Sequence, residues 1–265
     1  MIQVKPAIRL DHDIGSPFLY VVEMTDPDTS PTQRFPQQVD CVTLEWGKVS
    51  ALLVRPSKPI AMMAFSHGAG AGIEHLFMAD MAQRLAACGI ATFRYHFPFM
   101  ESQVLSGQRK PPDRPRILVE TVRAAVARSR EVAADLPLIA AGKSMGGRMT
   151  SIAAAERPLD GVCGIVFFGF PLHPAGQSSS ERAAHLSAVK VPMLFLQGTR
   201  DRLANLALLD PICASLGDFA TLHISDGADH SFHVLKRSGR TNEEVAQELT
   251  MRTASWIANI LDEGV

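Results

Sequence analysis

The residues Ala141-Gly142-Lys143-Ser144-Met145-Gly146-Gly147 carry the strongest chemical signal in this chain. They follow the apolar run Leu138-Ile139-Ala140 and lead into a helix-like stretch from Arg148 to Glu156, so the order is strand, G-x-S-x-G, helix. A serine on so sharp a turn sits in strained backbone with neighbouring chain close by. Glycine relieves that crowding, which accounts for Gly142 and Gly146. The turn would hold the hydroxyl out at a helix N-terminus, where backbone N–H groups can face a developing oxyanion. Ser144 is the candidate nucleophile, and the N–H of Met145 is one candidate oxyanion donor. A phosphate-binding loop ending in Gly142-Lys143-Ser144 is excluded, because that motif needs a glycine where Pro137 stands. Taken alone, G-x-S-x-G is as readily a plain strand-to-helix turn; its flanking pattern favours the nucleophile.

A second oxyanion donor must come from the loop after an earlier strand. Pro59 to Phe65 reads as a buried strand and runs into Ser66-His67-Gly68-Ala69-Gly70-Ala71-Gly72, which offers the N–H of Ala69. A dinucleotide fingerprint fails here, since the third glycine would fall on Ile73. His67 is read as ordering this turn rather than as a base. The acid and base of a serine triad should follow the nucleophile in the order carboxylate, then histidine. Val191 to Gly198 reads as a strand and Asp201 comes just after it; Ala220 to Ile224 reads as another, followed by Gly227-Ala228-Asp229-His230-Ser231-Phe232. Asp201 and His230 are the expected partners of Ser144. Asp226 and Asp229 are rival acids, and His233 and His223 rival histidines, all less well placed in the series.

The elements that must position these residues alternate. A hairpin is expected over 41–46 and 49–54, with Gly47-Lys48 between, then strands at 59–65, 90–95, 138–142, 162–168, 191–197 and 220–224. Helices are expected at 75–88, about 115–134, 145–156, 204–215 and 242–261, the last with Val245, Leu249, Trp256 and Ile260 as its buried stripe. Such alternation predicts an α/β fold, a mostly parallel, doubly wound sheet with helices on both faces. Residues 1–40, rich in proline, are expected to form an extension and 41–265 one domain without a large cap. The irregular stretches 97–114 and 171–189 should overhang the site. His75, Arg94, His96 and Lys143, with Arg114 and Arg148, could bring positive charge to its mouth and suit an acidic substrate, although solvated charges or structural ion pairs explain each one more simply.

Composition bounds the function. A length of 265 residues with 46% hydrophobic content suffices for one substantial core, and a net charge of −1 provides no basic footprint for nucleic acid. The apolar runs are too short to span a bilayer, and the first residues lack the apolar core of a signal peptide, so a cytoplasmic protein is expected. Cys41, Cys88, Cys163 and Cys213 lack metal-ligand spacing and read as reduced thiols; no metal or organic cofactor is expected. Oligomeric state is not legible.

The motifs around Ser144, Asp201 and His230, together with Ser66-His67-Gly68-Ala69-Gly70-Ala71-Gly72, Phe93-Arg94-Tyr95-His96-Phe97-Pro98 and Phe168-Gly169-Phe170-Pro171-Leu172-His173-Pro174, also carry a family resemblance. The chain resembles the α/β-hydrolase superfamily near dienelactone hydrolase. It looks more closely similar to predicted hydrolases related to an animal testis-expressed protein and to a subunit of a chromatin-modifying complex. The resemblance implies a Ser144, Asp201, His230 triad but no particular substrate. Dienelactone hydrolase typically carries a cysteine where this chain has Ser144, so that specific activity is not implied. The expectation is a serine hydrolase acting on a small-molecule ester, lactone, thioester or related acyl bond. The alternative is a binding or scaffold module that keeps the fold without turnover.

Overall fold

Every residue of β3 (Ala61–Ser66) is buried, and its side chains sort by period two. Met62 and Ala64 join one core, while Ala61, Met63 and Phe65 join the other. The two cores lie on opposite faces of one eight-stranded sheet in the order β1-β2-β4-β3-β5-β6-β7-β8. The computed structural model describes residues 34–262, so most of the expected extension, residues 1–33, lies outside the described residues.

The sheet opens with a hairpin of β1 (Gln37–Leu44) and β2 (Gly47–Val54), and β2 runs antiparallel to β4 (Ile90–Tyr95). From β4 onward every neighbour is parallel: β3, β5 (Leu138–Lys143), β6 (Val162–Phe168), β7 (Met193–Gly198) and β8 (Ala220–Ser225). The mostly parallel, doubly wound sheet expected from the alternation is therefore present. The helices are α1 (Leu76–Ala87), α2 (Pro98–Ser106), α3 (Pro115–Ala133), α4 (Met145–Glu156), α5 (Leu206–Ser215) and α6 (Asn242–Asp262). Met78, Met81 and Leu85 of α1 and Val245, Leu249 and Trp256 of α6 cover one face. Leu118 and Val122 of α3, Met149 and Ala153 of α4, and Leu209 of α5 cover the other. Because α1 carries the chain from β3 one way and α4 carries it from β5 the other way, the sheet reverses direction between β3 and β5. Open α/β sheets build their ligand crevices at the carboxyl ends of strands flanking such a reversal.

Three local expectations change. Strand β1 starts at Gln37, inside the segment 1–40 expected as an extension, because Gln37 to Asp40 pair with Ala51 to Val54. The hairpin turns at Glu45-Trp46, with Leu44 paired to Gly47, rather than at Gly47-Lys48; Gly47 starts β2 with φ 139, a conformation glycine takes without cost. The segment 97–114 also contains α2, begun by Pro98 at a position where its missing N–H is harmless and ended by Gly107 at φ 67. Phe99 and Met100 are its buried residues, too few to leave a helical stripe in the sequence. Within 171–189 a 3-10 segment spans Glu181–Ala188. Among the described residues no helix is long and apolar enough to cross a membrane.

Candidate active site

The turn between β5 and α4 is as tight as its glycines suggest. Ser144 takes φ 51 and ψ −118, one of three non-glycine residues with positive φ among those described. Such backbone is costly for serine and persists where the surroundings enforce it. A Cβ on Gly146 would lie 2.5 Å from both the His67 carbonyl and Ser66 Oγ, and one on Gly142 would collide with the backbone of Gly146 and Gly147. These contacts press the elbow against the loop after β3, so alanine at either glycine displaces one of them.

Loops after three parallel strands meet at Ser144. His230, beyond β8, places Nε2 2.8 Å from Ser144 Oγ, and its Nδ1 lies 2.6 Å from Asp201 Oδ2, beyond β7. The Asp201 side chain is fully buried, whereas that of His230 is 24% exposed, so the imidazole bridges an enclosed carboxylate and an open hydroxyl. Asp201 is held further by the Leu203 N–H, which donates to Oδ1 at 2.7 Å, and by Gln197 Nε2, which donates to Oδ2 at 2.5 Å. Gln197 Oε1 accepts from the Phe170 N–H at 3.0 Å, tying the carboxylate to the loop after β6. Gln197 stands outside the residues expected for the site; its signal in the sequence is a polar residue at the buried end of β7, four positions before Asp201.

Three of the four rival residues are engaged elsewhere. Asp229 accepts from the N–H groups of Ser231 and His233 and closes the turn that carries His230. Asp226 bonds Thr199, and His223 pairs with Glu248 at 2.5 Å; His233 is exposed.

On the other side of Ser144, a Cβ on Gly68 would lie 3.7 Å from Ser144 Cβ. His67 is fully buried beneath this loop, with Nδ1 2.7 Å from the Gly68 carbonyl and Nε2 accepting from the Phe97 N–H at 3.0 Å. Burial drives its ionisation down to about 3, so the ring is neutral, with its proton on Nδ1 to serve the carbonyl. Fixing the Gly68 carbonyl fixes the Ala69 N–H, which points the opposite way across the same planar peptide. The first intrahelical bond of α4 runs from the Arg148 N–H to the Ser144 carbonyl, so the Met145 N–H has no acceptor within its own helix.

The four residues expected to hold an acidic substrate have other partners. Arg94 is fully buried; Nη1 donates to the Ile73 carbonyl at 2.6 Å, Nη2 donates to Gln37 Oε1, and burial lowers its ionisation to about 10. His96 is paired with Glu101 at 2.9 Å and packs against Gly72, where a Cβ would lie 2.7 Å from Nε2. Exposed His75 caps α1 by accepting from the Phe77 N–H at 3.3 Å. Lys143 Nζ turns inward and donates to the His230 carbonyl at 2.5 Å. The sequence shows that these side chains are basic, but their direction is set by packing it does not display. Among the described residues no group of three or more His, Cys, Asp or Glu could hold a metal ion.

A mostly parallel sheet with helices on both faces and a strained serine at its reversal point, hydrogen-bonded to a histidine and through it to a buried aspartate, defines a class of architecture. Residues 59–258 match the model for the alpha/beta hydrolase domain, and the chain belongs to that family. Among solved structures it is similar to a dienelactone hydrolase from Anabaena variabilis, with 23% identity and a TM-score of 0.66 over 83% of this chain and 97% of that one. It is also similar to an alpha-beta serine hydrolase homologue from Coxiella burnetii, with 18% identity, a TM-score of 0.65, and coverage of 82% and 96%. A serine hydrolase without lid from Xanthomonas campestris gives 19% identity, a TM-score of 0.63, and coverage of 85% and 98%. At these identities the likeness speaks for the fold.

Proposed function

We propose that the chain is a serine hydrolase cleaving an ester, lactone, thioester or related acyl bond of a small molecule. The observation that carries this reading is the single imidazole shared between Ser144 Oγ at 2.8 Å and Asp201 Oδ2 at 2.6 Å. His230 Nε2 takes the hydroxyl proton as Oγ attacks the acyl carbonyl. Asp201 holds Nδ1–H, which selects the tautomer with a free Nε2 lone pair and stabilises the imidazolium that forms. The tetrahedral oxyanion is held by the N–H groups of Met145 and Ala69. Collapse of the intermediate expels the alcohol or thiol, which leaves with the proton returned by His230. Water, activated by the same imidazole, then releases the acid and regenerates Ser144.

The test is hydrolysis of a panel of p-nitrophenyl and thioester substrates by the native protein and by Ser144→Ala, His230→Gln and His233→Gln. The reading expects loss of about 10⁴-fold or more in kcat for the first two variants, and near-native rates for the third. Turnover that survives in folded Ser144→Ala, or that is lost in His233→Gln alone, contradicts it.

A further inference from the structure

The turn that carries His230 is held from beneath by a cation. Lys143, the last residue of β5, donates from Nζ to the His230 carbonyl at 2.5 Å. The same ammonium lies 5.2 Å from the Phe232 ring centroid and 5.8 Å from that of Phe77. Those rings stack on each other with centroids 5.8 Å apart and planes 16° apart. Phe232 is buried and takes φ 63, a left-handed conformation costly for so large a side chain, so something must hold it there. Gly169, at φ 73, leaves room for the arrangement: a Cβ on it would lie 3.2 Å from Lys143 Nζ and 3.4 Å from His230 Nδ1.

Packing alone would not select a lysine here. A methionine would pack beside the same two rings without taking a charge out of water. Burial drives the ammonium down to about 8, against the pull of the Asp201 and Asp229 carboxylates. Because the folded-state value lies below that of a free lysine, the charged form costs stability at neutral pH, and this cost is relieved as pH rises above about 8. An ammonium bonded to the carbonyl of the proposed base and set against the ring of the residue two further on in the same turn points to function.

We infer that Lys143 is a positioning residue for that base: its ammonium clamps the Asp229–His233 turn through the His230 carbonyl and the Phe232 ring, and so fixes where His230 Nε2 meets Ser144 Oγ. The inference rests on the Ser144–His230 reading above. Asp201 and Asp229 are the charged groups that face the ammonium, His230 is the neighbouring titratable group, and α1 contributes the Phe77 ring. Loss of the proton above about pH 8 weakens both contacts, since a neutral amine is a poorer donor and carries no cation for the rings.

The experiment measures the rate of fluorophosphonate labelling from pH 6 to 10 for the native protein, Lys143→Met, Lys143→Arg and Ser144→Ala, with a thermal midpoint for each. Native labelling should decline above about pH 8. Lys143→Met should melt within a few degrees of native, label about 10- to 100-fold more slowly at neutral pH, and lack that decline. Lys143→Arg, charged throughout the range, should recover part of the rate and lack the decline as well. A Lys143→Met protein that labels at the native rate, or whose loss merely tracks a lower melting point, overturns the inference while leaving the triad standing. If the native protein does not label, or Ser144→Ala labels equally fast, the triad reading fails and the inference falls with it.

Discussion

Gln197 offers a measurable link between the strand that carries it and the carboxylate it holds. It is fully buried, donating to Asp201 Oδ2 at 2.5 Å and accepting from the Phe170 N–H at 3.0 Å. Replacing it with leucine keeps a similar volume and removes both bonds. The orphaned Phe170 N–H costs about 1–3 kcal/mol, and the lost bond to a charged group about 1.5–3 kcal/mol. Extra apolar burial returns roughly 1 kcal/mol, leaving a net loss of about 3 kcal/mol. At roughly 2–4 °C per kcal/mol for a domain of this size, the thermal midpoint should fall by about 6–12 °C. Asp201 keeps the Leu203 N–H at 2.7 Å and His230 at 2.6 Å, so the carboxylate stays in place but less firmly aimed. A tenfold drop in kcat, equivalent to about 1.4 kcal/mol, is expected. Gln197 is closed to solvent and out of reach of substrate, so KM should hold. Calorimetry and ester hydrolysis at matched folded fraction read both effects. A Gln197→Leu protein that melts within 2 °C or so of native and keeps full kcat would refute this account of how Asp201 is held.

Three further outcomes follow from the same geometry. Gly146→Ala should lose several kcal/mol, on the order of 3 or more, and most of its activity, because the new Cβ would stand 2.5 Å from the His67 carbonyl; near-native melting by circular dichroism would contradict this. Asp201→Asn should fold and lose about 10⁴-fold in kcat through the wrong histidine tautomer, whereas Asp229→Asn, which still offers an oxygen to the Ser231 and His233 N–H groups, should lose far less; steady-state kinetics on the pair decide it. Stability should decline on acidification: His67 ionises near 3 when folded, so between about pH 6.5 and 3 the unfolded chain binds a proton that the native state refuses. By pH 4.5 this amounts to about 2–3 kcal/mol, and His67→Gln should show a correspondingly shallower acid dependence in urea unfolding.

What was legible in the sequence depended on whether one local pattern carried the information. Gly142, Ser144 and Gly146 announce themselves because a tight strand-to-helix turn leaves almost no other choice of residue, and Asp201 and His230 because each follows an apolar run of strand length. Helix α2 is not legible because it buries only Phe99 and Met100, and its other ties are polar. Glu101 accepts from the Ser50 N–H at 2.9 Å and pairs with His96, and Asp113 accepts from the Phe99 N–H at 2.7 Å. The direction of a basic side chain was equally hidden. Lys143 and Arg94 read as charges for a ligand, yet both turn inward to backbone carbonyls, those of His230 and Ile73. Gln197 leaves only a faint mark, a polar residue in an apolar strand four positions before Asp201, because its second partner, the Phe170 N–H, lies in the loop after β6.

The most direct test of the central claim is to find where an acyl-type electrophile ends up. The protein is treated with a fluorophosphonate, digested, and mapped by mass spectrometry beside Ser144→Ala and His230→Gln. The account predicts one covalent adduct, on Ser144, absent from Ser144→Ala and slowed by about three or more orders of magnitude in His230→Gln. An adduct on another residue, or labelling of Ser144 at an undiminished rate without His230, would contradict it.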